Sequence, residues 1–351
     1  MKQLGKRAVG LLRDRDFTRM LAVTVVIFIS MALLRPALFL KSNNFISMGY
    51  QIPELGFYSL AMMMVMVTGG RDLSIVAIGN LACVVSAYIM HYAFERGYTG
   101  GAAVPYILAG ILAAVAVGVV CGVINGVIVA NFNISAMLVT MATSSIFTGL
   151  GIILTEGKTV SKTPAEFTYF GNHTLLGLPY TLWLLILALL FSAWLLKCTK
   201  FGFEVRFVGS NPRASHYTGM NNRKVLVKAY IYSGVMSAIC GLEILARTDT
   251  AKSDYALTYV FQAILCAVLG ATNPNGGFVK ISCMVLSLIS LQCLSSGFNM
   301  LRLGGYFKEF AWGLLLLVVL SINFFSEEIR RRRALDRVGR ASKEKQKAAG
   351  G

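Results

Sequence analysis

Few residues in this chain could carry covalent chemistry. Gly157-Lys158-Thr159 resembles the end of a phosphate-binding loop, but that motif needs a glycine where Ile152 stands, so no ATP site is predicted. The three histidines are isolated, and none of the seven cysteines shows the spacing of a metal site or a disulfide framework. The sequence therefore predicts neither an enzyme nor a bound cofactor or metal.

Acidic residues within or beside apolar stretches could instead carry protons. They are Glu54, Asp72 and Glu243. A proton-coupled carrier usually pairs such acids with bases along its path. Glu54 follows Pro53 at an apparent helix start, and Glu243 lies near a helix end, so we expect both to be solvated. An ion-coupled secondary transporter is therefore an alternative hypothesis.

Polar side chains in the same region could hydrogen bond to a hydroxylated solute crossing the membrane. Asp72 and Ser74 lie at a glycine-rich break, while Asn125, Gln262 and Asn299 interrupt long apolar runs. Hydrogen bonds between packed membrane helices use the same residue types. These five residues are candidates for a translocation pathway, and packing remains the competing explanation.

The elements that position these residues follow from composition. Of 351 residues, 56% are hydrophobic and 14% charged, and the mean hydropathy is +0.66, which is outside the range of soluble domains. A bilayer core needs about 20 apolar residues per helix. The sequence predicts an all-α membrane protein of about ten transmembrane helices, at 20–40, 51–69, 73–92, 103–130, 134–154, 179–197, 226–246, 257–271, 279–300 and 306–325. The spans at 51–69 and 257–271 have the weakest apolar signals.

Basic residues indicate the orientation of these spans. The net charge is +17, and 22 of the 33 Lys and Arg fall in residues 1–19, 197–228 and 330–347. Each segment borders an apolar run, as expected for cytoplasmic loops that contact anionic lipid headgroups, and no basic domain suggests a nucleic-acid partner. We expect a multi-pass protein of the inner (cytoplasmic) membrane with both termini in the cytoplasm.

Three regions follow from this topology. Residues 1–19 form a basic cytoplasmic N-terminus, 20–325 the transmembrane domain with a cytoplasmic loop at 198–225, and 326–351 a charged cytoplasmic tail. No loop is long enough for a soluble catalytic domain.

Glycine-rich turns interrupt the apolar pattern at 68–74 and 270–277. A second predicted pairing relates Asn125-Gly126-Val127 to Gly297-Phe298-Asn299. These correspondences predict two weakly related five-helix halves with broken helices at the centre, because irregular backbone at membrane depth must line protein or a water-filled path. Simple connections outside the lipid are the alternative.

The loop at 198–225 contains a short helix. Asn211 suits the N-cap, Pro212 the first helical position, and Gly219 the left-handed residue that ends a helix. The small residues Ala214 and Ser215 would allow another protein to approach the backbone closely. We expect about two helical turns that receive force from a soluble motor.

This loop resembles that of the sugar-type ABC importer permeases, the ribose, arabinose, galactose and autoinducer-2 group. The resemblance extends in order over roughly residues 45 to 325. The matching positions are Gly209, Asn211, Ala214, Gly219 and Asn221 in the loop, Thr68-Gly69-Gly70-Arg71-Asp72-Leu73-Ser74, Asn125-Gly126, Thr140-Met141-Ala142-Thr143, Thr155-Glu156-Gly157 and Gly276-Gly277.

Membership of this group would imply a permease subunit of an importer for a sugar or sugar-like solute. The resemblance implies a separate ATPase subunit docked on a coupling segment that includes Gly209 to Gly219, an external solute-binding protein, and a second permease copy or paralogue. Nucleosides or other small polar solutes are the alternative cargo. The chain departs from the family pattern at Arg71, Ile75, Val76 and Val279, where local packing or the accepted solute could differ.

Overall fold

The computed structural model describes residues 14–132, 134–322 and 325, and its regular structure is almost entirely helical. Residues 1–13 and 326–351, with Arg330–Arg333, lie outside the described part, so the charge-based predictions for both termini stay predictions. The helices are α1 (Arg15–Leu34), α2 (Pro36–Phe39), α3 (Ser42–Val67), α4 (Ile75–Glu95), α5 (Val104–Phe132), α6 (Ala136–Thr155), α7 (Ala165–Asn172), α8 (Tyr180–Cys198), α9 (Lys200–Ser210), α10 (Pro212–Tyr217), α11 (Asn222–Thr248), α12 (Tyr259–Leu269), α13 (Ile281–Met300) and α14 (Gly305–Ile322).

Strands are confined to two short antiparallel pairs. In the first, β1 (Val160–Ser161) pairs with β4 (Thr250–Ala251). In the second, β2 (Thr174–Leu175) pairs with β3 (Leu178–Pro179). The first pair fastens the connection after α6 to the connection after α11, and the second is a hairpin within the connection between α7 and α8.

Each of the ten predicted spans coincides with a helix, which confirms the all-α membrane fold. Within the described residues, eight helices are long and apolar enough to cross a bilayer, namely α1, α4, α5, α6, α8, α11, α13 and α14. The two spans with weak sequence signals are α3 and α12. Helix α12 has only 11 residues, about 16 Å, so it crosses roughly half of a bilayer core and is a broken element of the predicted kind.

Helix α3 occupies the centre of the molecule. Every residue from Pro53 to Val67 is buried, and the helix packs against α8, α11, α12 and α13. Neighbouring helices shield it from lipid, so it can carry polar residues such as Gln51 and Glu54 that lower its hydropathy. The adaptable side chains of its methionine-rich last turns fill the irregular space at the core.

Helices α5 and α11 approach each other at their backbones. Gly118, Gly122 and Gly126 recur every fourth residue along α5 and face α11. A Cβ at Gly118 would lie 2.4 Å from the carbonyl oxygen of Gly234, and one at Gly122 would lie 2.5 Å from that of Tyr230. Small residues at this spacing allow close helix packing in membranes, where burial of apolar side chains gives no advantage over lipid.

Alternation of the spans gives the molecule two faces. The α10 face carries the 68–74 and 270–280 connections together with α9 and α10, and the α7 face carries α7 and both strand pairs. On the α10 face, Gly277 N donates a hydrogen bond to Val67 O at 2.8 Å. Both glycine-rich turns therefore lie on one face and contact each other.

An ion pair on the α10 face joins α1 to α13. Lys280 Nζ lies 2.6 Å from both carboxylate oxygens of Asp14 and 2.9 Å from Asp16 Oδ2. The hydrogen bond from Lys280 lowers the pKa of Asp14. Desolvation alone would lower the pKa of Lys280, but hydrogen bonds with Asp14 and Asp16 outweigh it and raise that pKa. The contact therefore stays charged at neutral pH.

Candidate coupling site and solute path

The loop helix predicted from the sequence is α10. Asn211 caps it, because its Oδ1 accepts a hydrogen bond from Ala214 N at 3.0 Å, and Pro212 occupies the first helical position. Gly219, with φ of +80°, follows in the left-handed conformation. The prediction of a short, capped helix is confirmed, although it has six residues and slightly less than two turns.

The exposed side of α10 differs from the predicted one. Ser215 is fully buried, and its hydroxyl bonds to Pro212 O and Asn222 Oδ1, both at 2.9 Å. It therefore fastens α10 to the start of α11, and the expectation of an open surface at Ser215 was wrong. Arg213, His216 and Tyr217 are exposed instead, and Tyr217 is 89% exposed.

Gly209 lies in the buried last turn of α9 and does not contribute to the exposed surface. A Cβ there would lie 1.9 Å from Val67 O and 2.6 Å from Gly277 N, both of which are backbone atoms. Gly276, with φ of +92°, is equally confined, since its Cβ would lie 2.7 Å from Gly209 O and 2.9 Å from Gly69 N. Only glycine fits such contacts.

These contacts form what we call the glycine junction, which comprises Val67, Gly69, Gly209, Gly276 and Gly277. It joins three backbones: the end of α3, the end of α9, and the turn between α12 and α13. The contacts among these five residues are made by backbone atoms. Direct backbone contact therefore links the end of α9 to the central helix α3 and to the turn that follows α12.

A second cluster, the Asp72 network, consists of Asp72, Ser74, Asn125 and Ser233, all fully buried. Asp72 Oδ1 accepts hydrogen bonds from Ser74 N at 3.0 Å and Ser74 Oγ at 2.6 Å, and Oδ2 accepts one from Ser233 Oγ at 2.8 Å. Asn125 Nδ2 donates to Ser74 Oγ at 2.8 Å. The network ties the first glycine-rich turn to α5 and α11.

Thr140 supports the same turn from α6. Its hydroxyl accepts a hydrogen bond from Leu73 N at 3.0 Å and shares its proton between Ala136 O at 2.8 Å and Arg71 O at 3.2 Å. The Thr-Gly-Gly-x-Asp-Leu-Ser segment is thus held by three different helices.

The structure brings together three of the five predicted pathway residues, Asp72, Ser74 and Asn125. Gln262 is half-buried on α12. Asn299 is exposed at the opposite end of the membrane domain, near the end of α13, and accepts a hydrogen bond from Lys308. Contact of any of these residues with a solute stays a prediction.

Sequence reasoning missed a buried ionic cluster near the α7 face. Glu54 and Glu243 are only 1% and 3% exposed, so the expectation that both are solvated was wrong. Arg247 Nη2 lies 2.6 Å from Glu54 Oε2, and Arg247 Nε lies 3.7 Å from Glu243 Oε1. Pro53 lies inside α3 rather than at its start. The spacing of Glu243 and Arg247 by four residues was the available signal.

A central helix enclosed by membrane spans, with a capped helix joined to it by backbone, defines a polytopic membrane protein. A family model described as "Branched-chain amino acid transport system / permease component" matches residues 44–320. The chain belongs to this family, and the permease resemblance found in the sequence is confirmed.

Curated relatives cover most of the chain. It is 28% identical over 312 residues to the L-arabinose transport system permease protein AraH of Escherichia coli (strain K12), covering 89% of this chain and 92% of the relative. It is 28% identical over 300 residues to the ribose import permease protein RbsC of Bacillus subtilis (strain 168), covering 85% and 89%. It is 27% identical over 307 residues to the autoinducer 2 import system permease protein LsrC of Escherichia coli (strain K12 / DH10B), covering 88% and 86%. No solved structure matches the chain.

Proposed function

We propose that this chain is the permease subunit of an ABC importer that carries a sugar or sugar-like solute across the inner membrane, driven by a separate ATPase subunit. The observation that carries the proposal is the capped, exposed helix α10 joined through the glycine junction to the central helix α3. The printed names of the relatives, which refer to arabinose, ribose and autoinducer 2, support the solute class.

In this proposal the α10 face is cytoplasmic and both termini lie on that side. Basic residues around α9 and α10, including Lys200, Arg206, Arg213, Arg223 and Lys224, support this orientation. The α7 face then meets a solute-binding protein outside the membrane. A second copy of the chain, or a paralogue, completes the translocation path.

Closure of the ATPase pair would displace α10 and, through the glycine junction, the ends of α3 and α12. The switch between outward and inward access is then a rigid-body rearrangement. The Asp72 network holds the 68–74 turn in place beside the junction. A displacement of α10 therefore moves the neighbouring helices instead of only deforming this turn.

The docking surface can be tested with Tyr217→Ala. We expect this change to reduce recovery of the ATPase subunit with the tagged permease by about tenfold, because Tyr217 is 89% exposed and large aromatic residues dominate many interfaces. The measurement is quantitative mass spectrometry of proteins co-purified from native membranes.

Tyr169→Ala is the matched control, since Tyr169 is 55% exposed on the opposite face. Equal recovery of the ATPase with wild type and Tyr217→Ala would show that Tyr217 on α10 is not part of the docking surface. A permease repeatedly purified without any ATPase would contradict the importer proposal itself.

The cargo and energy source can be tested by uptake into membrane vesicles. We expect accumulation of a labelled pentose or hexose that requires ATP and the binding protein and persists when ionophores collapse ion gradients. Preference for nucleosides over sugars would correct the solute class. Uptake that follows an ion gradient without ATP would instead support a secondary transporter.

A further inference from the structure

A pocket of about 540 Å³, within the size range of small-ligand sites, opens between α5, α7, α8 and α11 near the α7 face. Its walls are mainly apolar. On α5 they are formed by Ile107, Ile111 and Val115, which recur every fourth residue and make a stripe about 12 Å long. The remaining apolar walls come from Phe167, Phe170, Leu184, Ile239, Leu242 and Ala246.

Three polar side chains also line this pocket: Glu166, Thr181 and Glu243. Glu166 Oε2, Thr181 Oγ and both carboxylate oxygens of Glu243 are buried and have no hydrogen-bond partner among the described residues. Thr181 is fully buried and Glu243 is 3% exposed. Carboxylate oxygens only accept hydrogen bonds, so a ligand that satisfies this set must donate several.

The charges around Glu243 are unbalanced. Arg247 donates to Glu54 at 2.6 Å, while its Nε lies 3.7 Å from Glu243, beyond hydrogen-bonding distance. One guanidinium therefore serves two buried carboxylates, which leaves an excess negative charge. Among the described residues that line the pocket there is no Lys or Arg. Such a charge in an apolar setting requires a proton or a cationic partner.

We propose that this pocket binds a phospholipid whose headgroup carries a primary ammonium, as in phosphatidylethanolamine. The ammonium has three N–H donors and a positive charge, which suit the unpaired acceptors of Glu166, Thr181 and Glu243. The phosphate of the same headgroup remains at the membrane boundary, because the pocket walls that the structure describes offer it no Lys or Arg. The hydrocarbon tail lies along the Ile107, Ile111 and Val115 stripe.

The position of the pocket favours a lipid over the transported solute. Helices α5 and α8, which form two of its walls, each bury only 28% of the residues in their most apolar stretch, so most of these residues lie on the outside of the chain, where lipid can reach them. Thr181 lies in the first turn of α8 and Glu166 in the first turn of α7, close to the membrane boundary. Glu243 lies five residues before the end of α11, about 7 Å deeper.

Native mass spectrometry of the full-length permease with added lipids of identical acyl chains tests this site. Phosphatidylcholine is the chemical control, because its headgroup keeps the positive charge but has no N–H donor. We expect phosphatidylethanolamine to bind about tenfold more tightly than phosphatidylcholine. We expect Glu243→Gln to remove most of this difference.

Glu156→Gln is the matched control variant, since Glu156 is an exposed acid near the same face, paired with Lys158. It should leave the preference unchanged. Ile111→Trp, which narrows the pocket without touching the acids, should weaken binding of both lipids. Equal binding of the two lipids to the wild-type protein, or an unchanged preference in Glu243→Gln, would overturn the proposal. These measurements involve neither ATP nor solute, so their outcome is independent of the proposed import function.

Discussion

Replacement of Gly209 by alanine is expected to reduce solute uptake by more than tenfold. The added Cβ would lie 1.9 Å from Val67 O, an oxygen that already accepts a hydrogen bond from Gly277 N. All the nearest atoms belong to backbone, so no side-chain rotation can relieve the clash. The end of α9 must separate from α3, which opens the glycine junction. Vesicle uptake, measured together with ATPase activity of the assembled importer, checks this expectation.

Gly149→Ala is the control for Gly209→Ala, because Gly149 is also a helical glycine but has no atom within 4 Å of a built Cβ. It should behave as wild type. If Gly209→Ala folds and still binds the ATPase, we expect ATP hydrolysis that no longer drives uptake. Full uptake by Gly209→Ala would show that the junction does not transmit the coupling movement. A variant that fails to fold is distinguished by size-exclusion chromatography. Gly69→Ala then tests the same junction, since its Cβ would lie 3.4 Å from Asn275 O and the φ of +89° strains the backbone without a steric collision.

Replacement of Asp72 by alanine is expected to produce the second large effect. The change leaves Ser74 N, Ser74 Oγ and Ser233 Oγ without their acceptor in a fully buried setting. Loss of partners for buried donors costs about 1–3 kcal/mol each, so we expect a loss on the order of 3 kcal/mol in the free energy of unfolding. The thermal unfolding temperature of the purified protein and the rate of solute uptake into vesicles should both decrease.

Asp72→Asn separates hydrogen bonding from charge. Its amide keeps one acceptor for Ser74 and can donate to the Ser233 hydroxyl, so we expect stability close to wild type. Asp254→Ala, at an acid whose side chain is 52% exposed, is the surface control. If Asp72→Asn were as unstable as Asp72→Ala, the negative charge rather than the hydrogen-bond network would be the stabilising feature.

The sequence predicts the helices well because each depends on local composition. Ten apolar runs coincide with helices, and the capping residues Asn211 and Pro212 correctly mark the start of α10. The predicted spans with the weakest apolar signals are α3 and α12, and the structure explains each weak signal. Helix α3 is shielded by protein and needs no uniformly apolar surface, while α12 is too short to give a full membrane signal.

Features that depend on distant parts of the chain could not be predicted. Gly69, Gly209 and Gly277 occur in three separate segments, and only the fold shows that their backbones touch. Ser215 is a small residue of the kind that suits a contact surface, but its hydroxyl donates a hydrogen bond to Asn222 and the side chain is buried. Glu54 seemed close to a helix start because Pro53 precedes it, whereas α3 begins at Ser42.

The close contact of α5 with α11 constrains how the importer can change shape. Backbone also meets backbone between α4 and α11, where a Cβ at Gly241 would lie 2.1 Å from Gly79 O. Helices packed this closely cannot slide past one another without collisions between main-chain atoms. We therefore expect α4, α5 and α11 to move as one rigid unit. Helices outside this unit must then supply the movement of the transport cycle. The short helix α12 and the non-helical segment that precedes it are the expected hinge.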